Sequence, residues 1–238
     1  MDSAGYTTLT RMAGLKRELQ AIANNIANLS TTGFRKEGLL FSEHINALGQ
    51  GEDSLSMANA NVRLTNDAQG PLTLTGGTYD LAIEGDGFFL IQMPDGQAMT
   101  RNGTFTTNQQ GKLTTHDGYH LLDNGGAPIF IPPDAKTVSV ASDGTLSADG
   151  QPLSQIGLYM PEDPTTLTRN DGVRFYTDGA IVPQEDAVIL QGYVENSNVN
   201  AITEVARMIE VQHAYTLSQK FAEQEDERIK SVISTLGR

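Results

Sequence analysis

The sequence has no cysteine and no tryptophan. Without cysteine there are no disulfides, thiol nucleophiles or cysteine metal sites. Without tryptophan, and with the tyrosines spread out, a stacking platform for saccharide has little to be built from. Aromatics make up only 6% and hydrophobic residues 38% of 238 residues, which is thin for one well-filled globule. Such a composition implies that part of the apolar surface is buried between chains. Basic residues are also scarce: 16 Lys and Arg against 29 Asp and Glu leave a formal charge of −13. That balance repels nucleic-acid phosphates and anionic lipid. No apolar run is long enough to span a bilayer. The first residues lack the apolar core of a secretory signal, so the expected location is the cytoplasm, unless a dedicated export route without a cleaved signal is used.

Chemical motifs are missing too. The stretch Glu84 to Phe89 has two glycines but no third at dinucleotide-loop spacing, and it reads as turn-to-strand. His116 and His120 flank Asp117-Gly118, a turn that need not put them on one face, so they read as surface hairpin residues rather than metal ligands. His44 and His213 stand apart, and no serine sits in a nucleophile elbow. Neither a cofactor, a metal nor a catalytic residue is expected.

What is present falls into three regions. Residues 3–29 predict a helix about 40 Å long. Met12, Leu15, Leu19, Ile22, Ile26 and Leu29 recur at steps of three or four, a heptad-like stripe. Ser30, Thr31, Thr32 and Gly33 form its stop, with Gly33 suited to the left-handed conformation past a helix end. Residues 79–191 predict an all-β region, punctuated by Asp-Gly at Asp86, Asp95, Asp117, Asp143, Asp149, Asp171 and Asp178, and by Asn-Gly at Asn102 and Asn124. These pairs accept the positive φ that tight hairpins require, so a compact antiparallel sandwich or barrel is expected. The predicted core is Leu81, Ile83, Phe88, Phe89, Ile91, Phe105, Leu113, Leu121, Ile129, Ile131, Val138 and Val140. Residues 199–236 predict a second helix about 55 Å long. Its stripe is Ile202, Val205, Met208, Val211, Tyr215, Ser218, Ala222, Glu225, Ile229, Val232 and Leu236, weakened in the middle by Ser218 and Glu225.

Residues 39–77, rich in Gly, Ser, Asn and Asp after an apolar start at Leu39, Leu40 and Phe41, predict an extended connector. The fold class is therefore α+β: long N- and C-terminal helices packed as an antiparallel coiled-coil pair, with a hairpin-rich all-β centre. Arg11, Lys16, Arg17, Arg35 and Lys36 near the first helix could pair with Glu204, Glu210, Glu223, Glu225, Asp226 and Glu227 of the last, though each exposed pair contributes only about 0–1 kcal/mol.

Ala23-Asn24-Asn25-Ile26-Ala27-Asn28 followed by Thr31-Thr32-Gly33-Phe34 resembles the N-terminal signature of bacterial flagellar rod and hook proteins. The stretch from Asp80 to Phe89, continued by Thr100 to Phe105, resembles the start of their first outer domain. The stretch from Gly192 to Asn200, with Glu204, Met208, Ile209 and Tyr215, resembles their C-terminal motif. Only one modest outer domain fits between the helices, which argues against the hook branch. The opening residues and the length are most similar to the proximal rod branch, with the distal rod branch as the alternative.

The resemblance implies a structural subunit with no catalytic activity. Residues 1–38 and 192–238 would form an inner tube domain, 39–77 the connector, and 78–191 an outer β domain. It implies self-assembly, neighbouring rod proteins as partners, and passage through the flagellar type III export apparatus. The destination would be the periplasmic rod, which acts as a drive shaft transmitting torque. The expected assembly interface is Met12, Leu15, Leu19, Ile22, Asn24, Asn25, Ile26, Asn28, Leu29, Gly33, Phe34, Ile202, Val205, Met208, Ile209, Tyr215, Ile229, Val232 and Leu236. Asn24, Asn25 and Asn28 are weak helix formers whose amides could fix register across helices. The competing reading from the residues alone is a surface- or carbohydrate-binding β module with helical appendages.

Overall fold

The computed structural model describes residues 3–46, 55–184 and 186–236. They fall into two compact units. The terminal unit draws on residues 1–29, 36–67 and 199–238, and the β unit on 30–35 and 68–198.

In the terminal unit, α1 (Ser3–Ala27) and α2 (Ala201–Leu236) accompany a hairpin of β1 (Glu37–Asn46) and β2 (Leu55–Thr65). Both helices are proline-free, as expected. Asn28 closes α1: its side-chain amide donates at 2.8 Å to the Asn24 carbonyl, which also accepts the Asn28 backbone N–H at 3.2 Å. Asn200 opens α2, its side-chain oxygen accepting from the Thr203 N–H at 3.1 Å, a standard N-cap bond.

The expected connector over 39–77 is in large part this hairpin. Its register runs from Glu37 opposite Thr65 to Asn46 opposite Leu55, with a bulge at Leu40/Phe41. The region's overall Gly, Ser, Asn and Asp content reads as loop, but within it residues 58–65 alternate apolar and polar as a strand does. The part of the connector at 47–54 lies outside the described residues.

The β unit contains β3 (Leu72–Leu74), β4 (Leu81–Glu84), β5 (Phe88–Met93), β6 (Gly96–Thr100), β7 (Phe105–Thr107), β8 (Leu113–Thr115), β9 (His120–Leu121), β10 (Val138–Val140), β11 (Thr145–Ala148), β12 (Gln151–Gln155), β13 (Leu158–Pro161), β14 (Thr168–Asp171), β15 (Arg174–Tyr176), β16 (Ile181–Pro183), β17 (Val188–Gln191) and β18 (Tyr193–Glu195). The largest sheet runs β14-β15-β6-β5-β9-β8-β7, with β13 joining β5 to β16. Two small pairs close the unit, β17 on β4 and β18 on β3.

β5 is the hub, and both its faces are buried. Phe89 and Ile91 enter a cluster with Leu81, Ile83, Phe105, Leu113, Leu121, Ile129 and Ile131. Phe88 and Leu90 enter a second with Met99, Leu122, Tyr159 and Phe175. Each such side chain contributes about 1.5–3 kcal/mol of burial. The predicted core is buried apart from Val138 and Val140, which are half-buried against it.

Positive φ occurs at Gly87, Gly96, Gly118, Gly144, Gly150 and Gly172, as the Asp-Gly pairs predict. Gly103, Gly125 and Gly179 do not share it. Gly103 serves close approach instead, because a Cβ there would lie 1.5 Å from the Leu81 carbonyl oxygen.

Several turn aspartates are anchored by N–H donors. The Asp149 carboxylate accepts from Thr137 N at 2.9 Å and Lys136 N at 3.1 Å, chiefly the former holding it below the usual carboxylate range. Asp143 is held down first by the Thr145 N–H, and Asp163 first by the Thr165 hydroxyl. A pKa lower in the folded than in the unfolded state contributes stability above the unfolded value of 3.8, lost as pH falls through the folded one. Melting temperature should therefore decline below about pH 4, and the Asp149→Asn variant should decline less steeply, as thermal melts between pH 5 and 2.5 will reveal.

Candidate functional site

Each unit carries a buried polar lock where its chain segments gather. In the terminal unit the centre is Asn25, buried in the last turns of α1. Its amide donates to the Glu37 carbonyl at 2.8 Å and to Glu204 Oε2 at 2.9 Å, and its oxygen accepts from the Glu37 N–H at 2.9 Å. The side chain thus pairs with the backbone of residue 37 as a neighbouring strand would, while holding the first turn of α2. Glu204, also buried, is neutralised by Lys36 Nζ at 2.5 Å. A carboxylate in a helix's first turn further gains from the helix dipole. Farther along, the Glu18 carboxylate accepts from Arg207 Nε at 2.8 Å, which foremost holds the Arg207 pKa above its ordinary value.

In the β unit the centre is Glu195, 1% exposed, at the end of β18. Oε1 accepts from Gly70 N at 3.0 Å and lies 3.1 Å from Arg35 Nη2, and Oε2 lies 3.1 Å from Arg101 Nη1. Its backbone carbonyl accepts from Gly33 N at 2.7 Å. Arg101 also donates to the Gly85 carbonyl at 2.8 Å. Burial, foremost, pushes the Arg101 guanidinium down to about 10, Arg35 adding to the effect and Glu195 opposing it, so it stays charged at neutral pH. A third guanidinium, Arg169, lies 4.6 Å from the Phe34 ring and 4.8 Å from the Phe175 ring, and donates to the Arg35 carbonyl at 2.7 Å. One lock thereby ties residues 33–35, 70, 101 and 195 to the rest of the β unit.

The expected assembly residues divide by exposure. Ile22, Asn25, Gly33 and Phe34 are buried within the chain, so they build the subunit and offer no free surface. Met12, Leu15, Leu19, Ile26, Asn28, Leu29, Met208, Tyr215 and Ile229 are half-buried. Asn24 is exposed, with its amide 3.2 Å from Glu37 Oε2. Ile202, Val205, Ile209, Val232 and Leu236 are exposed, Ile202 at 83%.

The predicted stripe on α2 joins two faces. From Met208 onward Met208, Val211, Tyr215, Ser218, Ala222, Glu225 and Ile229 form an inward row, whereas Ile202 and Val205 point outward. The outward row continues through Ile209 to Leu217 and Phe221, which the sequence reading missed although they follow at steps of four past His213. Leu9 and Ile233 are further exposed apolar residues that it missed. The burial of charge was missed as well: Glu195 and Glu204 belong to the C-terminal motif and Glu204 was expected to pair, but neither was expected to be buried. Of the expected charge pairing between termini, Lys36–Glu204 forms, but Arg35 turns to Glu195, and the Glu18–Arg207 pair has the opposite polarity.

Similarity to known proteins follows the same segments. Residues 6–35 match the family described as Flagella basal body rod protein, 82–148 the Flagellar hook protein FlgE/F/G D1 domain, and 190–235 the Flagellar basal body rod FlgEFG protein C-terminal family. The chain belongs to the flagellar basal-body rod proteins and is a structural protein, not an enzyme. It is 40% identical to the flagellar basal-body rod protein FlgF of Caulobacter vibrioides, across 100% of this chain and 99% of the relative. It is 37% identical to FlgF of Mesorhizobium japonicum, across 98% of each chain. Identity to the rod protein FlgG of Bacillus subtilis is 32%, across 96% of this chain and 97% of the relative. The chain is thus a FlgF-like rod protein.

Proposed function

We propose that the chain is a subunit of the proximal rod, polymerising with its own copies and with other rod proteins through α1 and α2. The observation that carries this reading is the outward apolar row of α2, Ile202, Val205, Ile209, Leu217 and Phe221, on a helix that already uses its opposite face. A row of this length left in water is a liability, and burying each side chain against a neighbouring copy contributes about 1.5–3 kcal/mol.

The terminal unit then forms the inner tube wall and the β unit the outer layer. α1 and α2 pair as an antiparallel coiled coil, a sense favoured by Asn25 meeting Glu204 while Glu18 meets Arg207. The subunit reaches the periplasm through the flagellar type III export apparatus without a cleaved signal, and the finished rod transmits torque as a drive shaft. The higher identity to FlgF than to FlgG favours the proximal position; the distal one is the alternative.

Ile202→Asp and Leu217→Asp test the interface, since both side chains are largely exposed. The purified chain should keep its unfolding free energy within about 0.5 kcal/mol. In cells carrying either variant, basal bodies should lack the subunit and swimming should stop. Normal incorporation of both variants would refute the assembly surface, and locating the chain in a reconstruction of the basal body would decide between proximal and distal rod.

A further inference from the structure

The two Asn-Gly pairs of the β unit stand in opposite surroundings. Asn102-Gly103 is wedged between backbone segments. Gly103 is buried, and a Cβ on it would lie 1.5 Å from the Leu81 carbonyl oxygen. From another side, a Cβ on Gly33 would lie 2.3 Å from the Asn102 nitrogen. The Asn102 side-chain oxygen is engaged as well, accepting from the Thr104 N–H at 3.0 Å. Asn124 and Gly125, by contrast, are both exposed. The Asn124 side-chain amide makes no hydrogen bond among the described residues. The Gly125 N–H donates to Asp123 Oδ1 at 2.9 Å, an oxygen it shares with the Ala127 N–H at 2.8 Å.

We propose that Asn124 is a site of spontaneous covalent modification, converted through a cyclic imide to aspartate and isoaspartate, while the fold keeps Asn102 intact. The Gly125 nitrogen attacks the carbonyl carbon of the Asn124 side chain. The new C–N bond forms as the bond to the side-chain nitrogen breaks. Ammonia leaves, carrying the proton that the Gly125 nitrogen gives up. Water then opens the ring at either carbonyl. One opening gives aspartate, and the other gives isoaspartate, whose main chain runs through the former side chain. Amide and water become carboxylate and ammonium, with no change of oxidation state.

The surroundings of Asn124 suit each step. A following glycine has no Cβ to obstruct the attack. Asp123 Oδ1 faces the proton that must leave the Gly125 nitrogen. The side chain to be attacked is held by nothing, and water reaches both carbonyls. At Asn102 the side chain would have to leave Thr104, and the lengthened main chain would have to fit between Gly33 and Leu81. Reaction there waits for local unfolding.

Conversion would alter a turn that joins strands. The Asn124 N–H donates to the Gln155 carbonyl at 2.8 Å, and its own carbonyl accepts from the Tyr159 hydroxyl at 3.0 Å. In isoaspartate that carbonyl leaves the main chain as a free carboxylate, so the tie from β9 to β12 and β13 is remade with an added negative charge.

Peptide mapping by mass spectrometry on the full-length chain, aged in mildly alkaline buffer, tests the proposal. Enzymatic methylation of isoaspartate gives a second readout. Conversion at Asn124 should run at least roughly tenfold faster than at Asn102 in the folded chain. In concentrated urea the two should agree within about threefold, because only the fold separates them. Gly125→Ala supplies the chemical control. Gly125 is not in the left-handed region, and apart from its chain neighbours an added Cβ would meet only Asp123 Oδ1, at 3.3 Å. The variant should keep the urea midpoint and slow conversion at Asn124 by about tenfold.

Equal conversion at the two sites in the folded chain would overturn the proposal. So would an Asn124 that stays intact when folded and reacts only in urea, since the Asp123 turn would then be protective. Undiminished conversion in Gly125→Ala would exclude the cyclic imide as the route.

Discussion

Gly33→Ala is expected to lower the unfolding free energy of the β unit by about 3–5 kcal/mol. Two independent costs meet at this residue. Its φ is +70°, in the left-handed region where a side chain costs about 1–2 kcal/mol. A Cβ there would also lie 2.3 Å from the Asn102 nitrogen and 2.4 Å from the Arg101 carbonyl carbon, both backbone atoms with no rotamer to yield. The residue cannot simply retreat, because its N–H is held by the Glu195 carbonyl at 2.7 Å. Gly76 provides the comparison: its φ is +72°, but nothing lies within 4 Å of the added atom. Gly76→Ala should lose only the conformational part, about 1–2 kcal/mol. Urea unfolding followed by intrinsic tyrosine fluorescence will read both midpoints. Equal losses in the two variants would mean that the collision at Gly33 is relieved at little cost, contrary to the close-packed reading.

Glu195→Ala should be as damaging, by about 3–5 kcal/mol, because it leaves Arg35 and Arg101 buried without their shared carboxylate. The Gly70 N–H would lose its acceptor at the same time. Glu195→Gln retains most of the geometry as acceptor but not the charge, so an intermediate loss of about 1–3 kcal/mol is expected. The triple variant Arg35→Met, Arg101→Met, Glu195→Leu removes both signs of charge together and should recover much of the loss, since replacing a whole buried ion cluster by apolar groups is often neutral. Chemical denaturation across this series separates the charge cost from lost packing. If the triple variant is no more stable than Glu195→Ala, the lock's contribution lies in its shape and not in its charge pairing. Loss of the lock should also release residues 33–35 and 70, visible as faster amide exchange there than in β5.

The predicted elements that held are those whose signal is local. α1 and α2 were legible from apolar spacing and the absence of proline. β5 was legible as an apolar run bounded by Asp86-Gly87 and Asp95-Gly96, and Phe88 and Phe89 read as core because nothing polar interrupts them. Legibility fails where pairing, not composition, decides. β2 does carry a strand signal, Ala58, Ala60, Val62 and Leu64 alternating with Asn59, Asn61, Arg63 and Thr65, but it is hidden in Gly- and Asp-rich surroundings, and only its pairing with β1 makes the hairpin plain. β15 and β18 are short and unremarkable as sequence, and they become strands through β6 and β3.

The helix faces failed in the same way. A row through Ile202, Val205 and Met208 obeys helical spacing, but the row that is buried runs through Glu204, Val211 and Ser218, and Glu204 meets Asn25 across almost the whole chain. Sequence alone therefore determined the class of this protein: two long terminal helices around a hairpin-rich β region, an acidic surface, no chemistry for catalysis, and the residues by which its family is known. Tertiary structure alone decided which of its many carboxylates are buried, which glycines are spaces and which are turns, and which apolar row is left outside. The physical reason is that propensity and periodicity act within one or two turns of chain, whereas burial and polar satisfaction belong to residues that meet only after folding.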